Sequence, residues 1–182
     1  MPAQTRTESP SPTPQSLARF NTDPAEDIER ALLACLRSLR WAHRLTDHRP
    51  YPDLDSLLAA ADEAAYDLTP GDLSEALAAE ALPALPDGVY AAAHTALGAA
   101  HAAYEARFGH VFVICLDATP PTEVLNTILA AIRSRLTNDP EEERVVAAEE
   151  LRRLARERLG NCLRGAGLQH IAAPPRGATS HI

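Results

Sequence analysis

The chain has 182 residues, of which 46% are hydrophobic, 23% charged and only 4% aromatic, proportions of one folded unit rather than of a fibre or a disordered polymer. Its 17 basic residues, every one an arginine, stand against 25 acidic ones for a formal net charge of -8. Lacking a basic block, it has no electrostatic footprint for nucleic acid or an anionic lipid surface. Lacking lysine, it has no amine for Schiff-base chemistry or lysine-anchored pyridoxal phosphate, since a guanidinium is not deprotonated in proteins.

Residues 1–16 are rich in Pro, Ser and Thr and hold no apolar h-region; they are expected to be a disordered tail, neither signal peptide nor anchor. Three Asp/Thr-Pro signals follow one design: Asp23-Pro24-Ala25-Glu26, Thr69-Pro70-Gly71-Asp72 and Asp139-Pro140-Glu141-Glu142. In each, an oxygen-bearing N-cap precedes proline at the first helical position, and acids follow to meet the orphan amides. The first signal opens a helix whose stripe runs through Ile28, Leu32, Cys35, Leu36 and Leu39. Asp53 opens another through Leu54, Leu57, Leu58, Ala61 and Ala65, and a short one follows Thr69 with Leu73, Ala76 and Leu77. Val89, Ala93, Leu97, Ala100, Tyr104 and Phe108 mark a long helix that Gly109 can end in a left-handed cap.

His110 to Leu116 is β-branched and extended, and a lone strand makes no sheet, so a buried connection through a helical domain is expected. Val124, Leu125, Ile128, Leu129, Ile132 and Leu136 mark the next helix, and Asp139 to about Leu163 the last. Residues 165–182, rich again in Gly, Pro and Ser, are expected to be a second disordered tail. The predicted architecture is an all-α, single-domain bundle of about seven helices over residues 17–164. No apolar run approaches the roughly 20 residues needed to span a bilayer. Cys35, Cys115 and Cys162 are odd in number, far apart and outside any C-x-x-C pair, as expected of thiols in a reducing cytoplasm.

The stripe of the last helix is Ala148, Leu151, Leu154, Ala155, Leu159 and Cys162. Arg158 lies about 20° from Leu151 on a helical wheel, so it points into the apolar face. A guanidinium there needs an anion or several carbonyls, supplied by a ligand carboxylate or by an internal ion pair. Arg152, Arg153 and Arg156 fall near the polar side and are expected to be solvated. His94 and His101 share a face but join no H-E-x-x-H arrangement, so no metal site is expected. No G-x-S-x-G elbow, phosphate loop or G-x-G-x-x-G is present.

Several segments together resemble the OHCU decarboxylase family: Leu17-Ala18-Arg19-Phe20-Asn21, Cys35 to Trp41, Arg49-Pro50-Tyr51-Pro52-Asp53-Leu54, Ala103 to Phe112, Asn138-Asp139-Pro140-Glu141 and Arg156-Glu157-Arg158-Leu159. The resemblance implies an all-α fold and cofactor-free decarboxylation of 2-oxo-4-hydroxy-4-carboxy-5-ureidoimidazoline (OHCU) to (S)-allantoin, the last step of urate breakdown. It implies that an arginine of the last helix, here Arg158, pairs with the substrate carboxylate, and that dimerisation is common. It also implies a His-Pro-Arg-Ile-Gly motif for the departure of carbon dioxide and a Ser-x-x-Glu-Gln motif for gripping the ureidoimidazoline. Both are absent: Ala76-Leu77-Ala78-Ala79 is followed by Glu80-Ala81-Leu82-Pro83, and the stretch from Glu80 to Tyr104 is shorter than the family pattern.

Glu80 and His101 are the candidate substitute acids, and Arg158 is the candidate carboxylate anchor. Glu80 needs a desolvated pocket for that role and is otherwise a solvated residue near a helix end; His101 needs the long helix to shift. The sequence thus leaves two classes of function: a divergent decarboxylase of a small carboxylated heterocycle, and a non-catalytic paralogue acting as a small-anion sensor or binding a homologous subunit.

Overall fold

The structure, a computed structural model, describes residues 14–83 and 91–165. Eight helices and no strand occur among them: α1 (Pro14–Thr22), α2 (Ala25–Cys35), α3 (Leu39–Asp47), α4 (Leu54–Tyr66), α5 (Pro70–Ala78), α6 (Ala91–Phe108), α7 (Val124–Arg135) and α8 (Pro140–Arg164). The all-α expectation holds with one helix more than about seven. Val89 and most of both expected tails lie outside the described residues, although α1 begins at Pro14, inside the stretch assigned to the first tail.

The extra boundary comes from a stripe that the sequence read as one helix. Leu36 turns extended at φ -148°, and Ser38 starts α3 by accepting a hydrogen bond from Trp41 N. Leu39, counted as core by its spacing, is consequently 51% exposed. The Asp23-Pro24 signal is likewise corrected: Pro24 stands at the N-cap with no side-chain cap, while Asp23 pairs with Arg19. The other two signals form full capping boxes, Thr69 with Asp72 and Asp139 with Glu142. Asp53 caps α4 through Ser56 N at 2.7 Å, and Gly109 ends α6 at φ +79°.

Two apolar clusters result. The larger gathers α1 to α5 around α8 and centres on Trp41, whose indole N–H donates to Ala61 O at 2.9 Å. Buried positions of α8 recur at four-residue steps, Glu143, Ala147, Leu151, Ala155, Leu159 and Leu163, a ridge that packs along α4 and α2. The smaller cluster pairs α6 with α7 through Leu97, Tyr104, Ile128 and Ile132. Asn21 and Tyr51 exchange two 2.9 Å hydrogen bonds, and Arg49 donates to Phe20 O and Asp23 O, fastening α1 to the α3–α4 connection.

Residues 111–116 run extended between the clusters, as expected of a buried connection. Val111 and Val113 pack on the larger, while Phe112, Ile114 and Leu116 pack on the smaller, the two-residue alternation of a strand without a sheet. Side chains take the place of a ladder: Cys115 N donates to Glu150 Oε2 at 2.7 Å, and Val113 O accepts from Arg135 Nη1 at 2.6 Å.

Candidate functional site

Arg158 projects from the last third of α8 toward the C-terminal end of α2 and the segment after α5. Its Nη1 donates to Cys35 O at 3.0 Å and to Glu80 Oε1 at 2.8 Å, and its Nη2 donates to Glu80 Oε2 at 2.8 Å. This is a bidentate fork, the stronger and more directional form of a carboxylate–guanidinium contact. The Arg158 side chain is 37% exposed and that of Glu80 only 7%. Glu80 is therefore not the solvated helix-end residue that its sequence position suggested. Its desolvation is tolerated because both oxygens accept from a guanidinium.

The pair forms one wall of an open cavity of about 490 Å3, which Leu82, Val113 and Leu154 line with apolar groups and Glu157 with a second carboxylate. Hydrogen bonding to Glu80 raises the Arg158 pKa further above its ordinary value, against the opposing effect of burial. Cys115 lies beneath Glu157, its thiol 3.6 Å from Glu157 Oε2. Burial, helped by the nearby carboxylates, pushes that thiol up to about 11, so it is protonated and donates.

The structure does not bring His101 to this cavity. It lies in α6, 5% exposed, stacked on Phe112 with ring centroids 6.0 Å apart, and its Nε2 is buried with no hydrogen-bond partner. Desolvation lowers its pKa, with Glu105 opposing. The helix shift that a catalytic His101 would need would have to break this packing.

Two charged clusters escaped the sequence reading. The first is buried: Glu143 Oε1 accepts from Arg135 Nε at 2.8 Å, from Arg135 Nη2 at 2.5 Å and from the Tyr104 hydroxyl, while Oε2 accepts from Asn138 Nδ2 at 2.9 Å. Arg135 also sits 4.5 Å over the Phe112 ring centroid. Burial raises the Tyr104 pKa and the carboxylate it bonds adds to this, so the phenol remains a donor. A periodicity signal for Arg135 existed, since it follows the stripe residue Ile128 by seven, as Arg158 follows Leu151. The second cluster corrects the expectation of a solvated arginine face: Arg152 and Arg156 of α8 both reach Asp62 of α4, and Arg152 is only 17% exposed. Arg153, at 44%, does face solvent.

Among the described residues, no group of three or more His, Cys, Asp or Glu side chains is placed to hold a metal ion, and no helix is long and apolar enough to cross a membrane.

The all-helical fold defines the class, and comparison with known proteins identifies the family. Residues 21–87 and 84–160 match the profile of the family described as OHCU decarboxylase, and the chain belongs to that family. A crystal structure of (S)-allantoin synthase is similar at a TM-score of 0.65 and 22% identity, over 80% of this chain and 53% of that one; this chain thus spans about half of that protein. A crystal structure of OHCU decarboxylase in the presence of (S)-allantoin is similar at a TM-score of 0.63 and 21% identity, over 74% of this chain and 97% of that one. No curated protein matches the sequence.

Proposed function

We propose that the protein is a divergent, cofactor-free decarboxylase of urate catabolism, acting on OHCU or a related small carboxylated heterocycle in the Glu80–Arg158 cavity. The observation that carries this reading is the meeting of a buried carboxylate and a half-exposed guanidinium, 78 residues apart in sequence, on one wall of that cavity. A substrate carboxylate has the same fork geometry as Glu80 and exchanges with it on Arg158. Glu80, released from the fork, then stands beside the departing carboxylate. The bond to that carboxylate breaks, carbon dioxide leaves, its electron pair stays on the heterocycle, and a proton taken from water and passed on by Glu80 replaces it.

The absence of the family histidine sets the scale, since a missing general acid costs about 10²- to 10⁴-fold. The test is the rate at which freshly generated OHCU becomes optically active (S)-allantoin, followed by circular dichroism. A rate above the spontaneous one, abolished in Arg158→Ala and reduced in Glu80→Gln, is the expected result, and a rate equal to the spontaneous one refutes the reading.

One observation favours a second reading: the Arg158 fork is already filled by Glu80, and His101 lies elsewhere. A non-catalytic member would then sense small carboxylic acids at the same cavity or bind a homologous subunit. It is distinguished by a ligand-dependent rise in melting temperature, or a mixed oligomer, without turnover.

A further inference from the structure

The cavity holds one carboxylate that the Arg158 fork does not engage and the proposed reaction does not use. Glu157 Oε2 is held by the Cys115 thiol at 3.6 Å, while Glu157 Oε1 has no hydrogen-bond partner among the described residues. The residue is half-buried and lines the cavity three residues after Leu154 along α8, next to Arg158. Asp117 stands at the same cavity, its carboxylate already accepting from Ala118 N and facing Arg153 at 3.9 Å. The lining therefore carries three carboxylates, Glu80, Asp117 and Glu157, against the single guanidinium of Arg158. A molecule that is only an acid meets net repulsion there; one that also presents N–H donors gains a bond at Glu157 as it docks on Arg158.

We propose that Glu157 is the specificity-determining residue of this cavity, accepting through Oε1 the N–H groups of a planar ureido or guanidino end, so that the ligand class is a compact acid carrying such a group. The assignment rests on the cavity proposed above as the site but does not need the reaction. Arg158 and Glu157 are neighbours on α8, so their side chains diverge by about 100° around the helix and address two ends of one ligand rather than a single group. The Cys115 thiol engages one Glu157 oxygen at 3.6 Å and leaves the other available to a ligand in the cavity. A guanidino group, with donors in a fixed fork and a positive charge, suits this wall better than a neutral ureido group, and a ureido group suits it better than an alkyl end.

The experiment measures dissociation constants of the full chain for guanidinoacetate, N-carbamoylglycine and 4-methylpentanoate, three acids of similar length that differ in donor content, by titration calorimetry. Binding is expected to tighten in the order 4-methylpentanoate, N-carbamoylglycine, guanidinoacetate. In Glu157→Gln the guanidinoacetate affinity should fall by about 10- to 100-fold, the scale of one hydrogen bond to a charged group, while 4-methylpentanoate, relieved of one repelling charge, should bind no more weakly than before. Glu157→Asp, which keeps the charge but withdraws the oxygen, should lose part of the preference. Equal binding of the three acids by the wild type, no binding of any of them, or an unchanged order in a folded Glu157→Gln each overturns the assignment. Discrimination without OHCU turnover leaves Glu157 in place and removes the decarboxylase reading. Turnover with a KM indifferent to Glu157→Gln does the reverse.

Discussion

Glu143→Ala tests the buried cluster behind the site. The wild-type carboxylate is 0% exposed and accepts from Arg135 twice, from the Tyr104 hydroxyl and from Asn138. Truncation leaves the Arg135 guanidinium, 8% exposed, with Val113 O, the Tyr104 hydroxyl and two aromatic faces but no counter-charge. Stranding one member of a buried ion pair costs about 3–5 kcal/mol. For a chain of this size each kcal/mol corresponds to roughly 2–4 °C, so a fall in Tm of about 6–20 °C is expected. The assay is urea and thermal unfolding by far-ultraviolet circular dichroism of wild type, Glu143→Ala and the double variant Arg135→Met/Glu143→Leu. The double variant should recover most of the loss, because removing both charges also removes the desolvation penalty. A Glu143→Ala protein within 1 kcal/mol of wild type, or a double variant worse than the sum of its single changes, would refute the reasoning.

Three further outcomes follow from the same structure. His101 has a lowered pKa in the folded chain, so the unfolded chain binds its proton first: stability is complete above about pH 6.5 and declines as the pH falls below that unfolded value. His101→Phe should flatten this decline in melts between pH 7.5 and pH 5; an unchanged slope would show that His101 is not its source. Gly109→Ala places a Cβ in open space but at φ +79°, so a loss of about 1–2 kcal/mol without repacking is expected, measured in urea; no loss would mean that the cap relaxes freely. Glu80→Ala removes the carboxylate from the Arg158 fork, leaving Cys35 O as that side chain's remaining acceptor, and should destabilise the free chain yet strengthen its binding of simple acids such as 4-methylpentanoate in calorimetry. Unaltered affinity would argue that ligands do not use the fork.

The features legible in the sequence were those set within a few residues. The capping boxes at Thr69 and Asp139, the αL glycine, the extended connection and the misplaced arginine of α8 all follow from local spacing or backbone chemistry. The break at Leu36 was invisible because Leu36 and Leu39 continue the spacing of α2, and only Ser38, read as an N-cap, would have divided the run. The role of Asp23 was misread because the same Asp-Pro pair serves a cap in one place and an ion pair with Arg19 in another. The pairings of Glu80 and Asp62 were out of reach: their partners lie 78 to 94 residues away, and no periodicity encodes a contact between helices. Arg135 was within reach by the rule that exposed Arg158.

Many of the residues through which the chain resembles its family, Asn21, Arg49, Tyr51, Tyr104, Phe112 and Asn138 among them, turn out to fasten helices together. They position the helices around the cavity rather than line it.

The alternating segment 111–116 gives the molecule a property that neither cluster has alone. Because Val113 seats in one cluster and Phe112 in the other, and Arg135 of α7 and Glu150 of α8 both hold the backbone between them, neither half can melt without withdrawing neighbouring residues from its counterpart. The two cores are thereby bound into one cooperative unit, for which a single unfolding transition is expected.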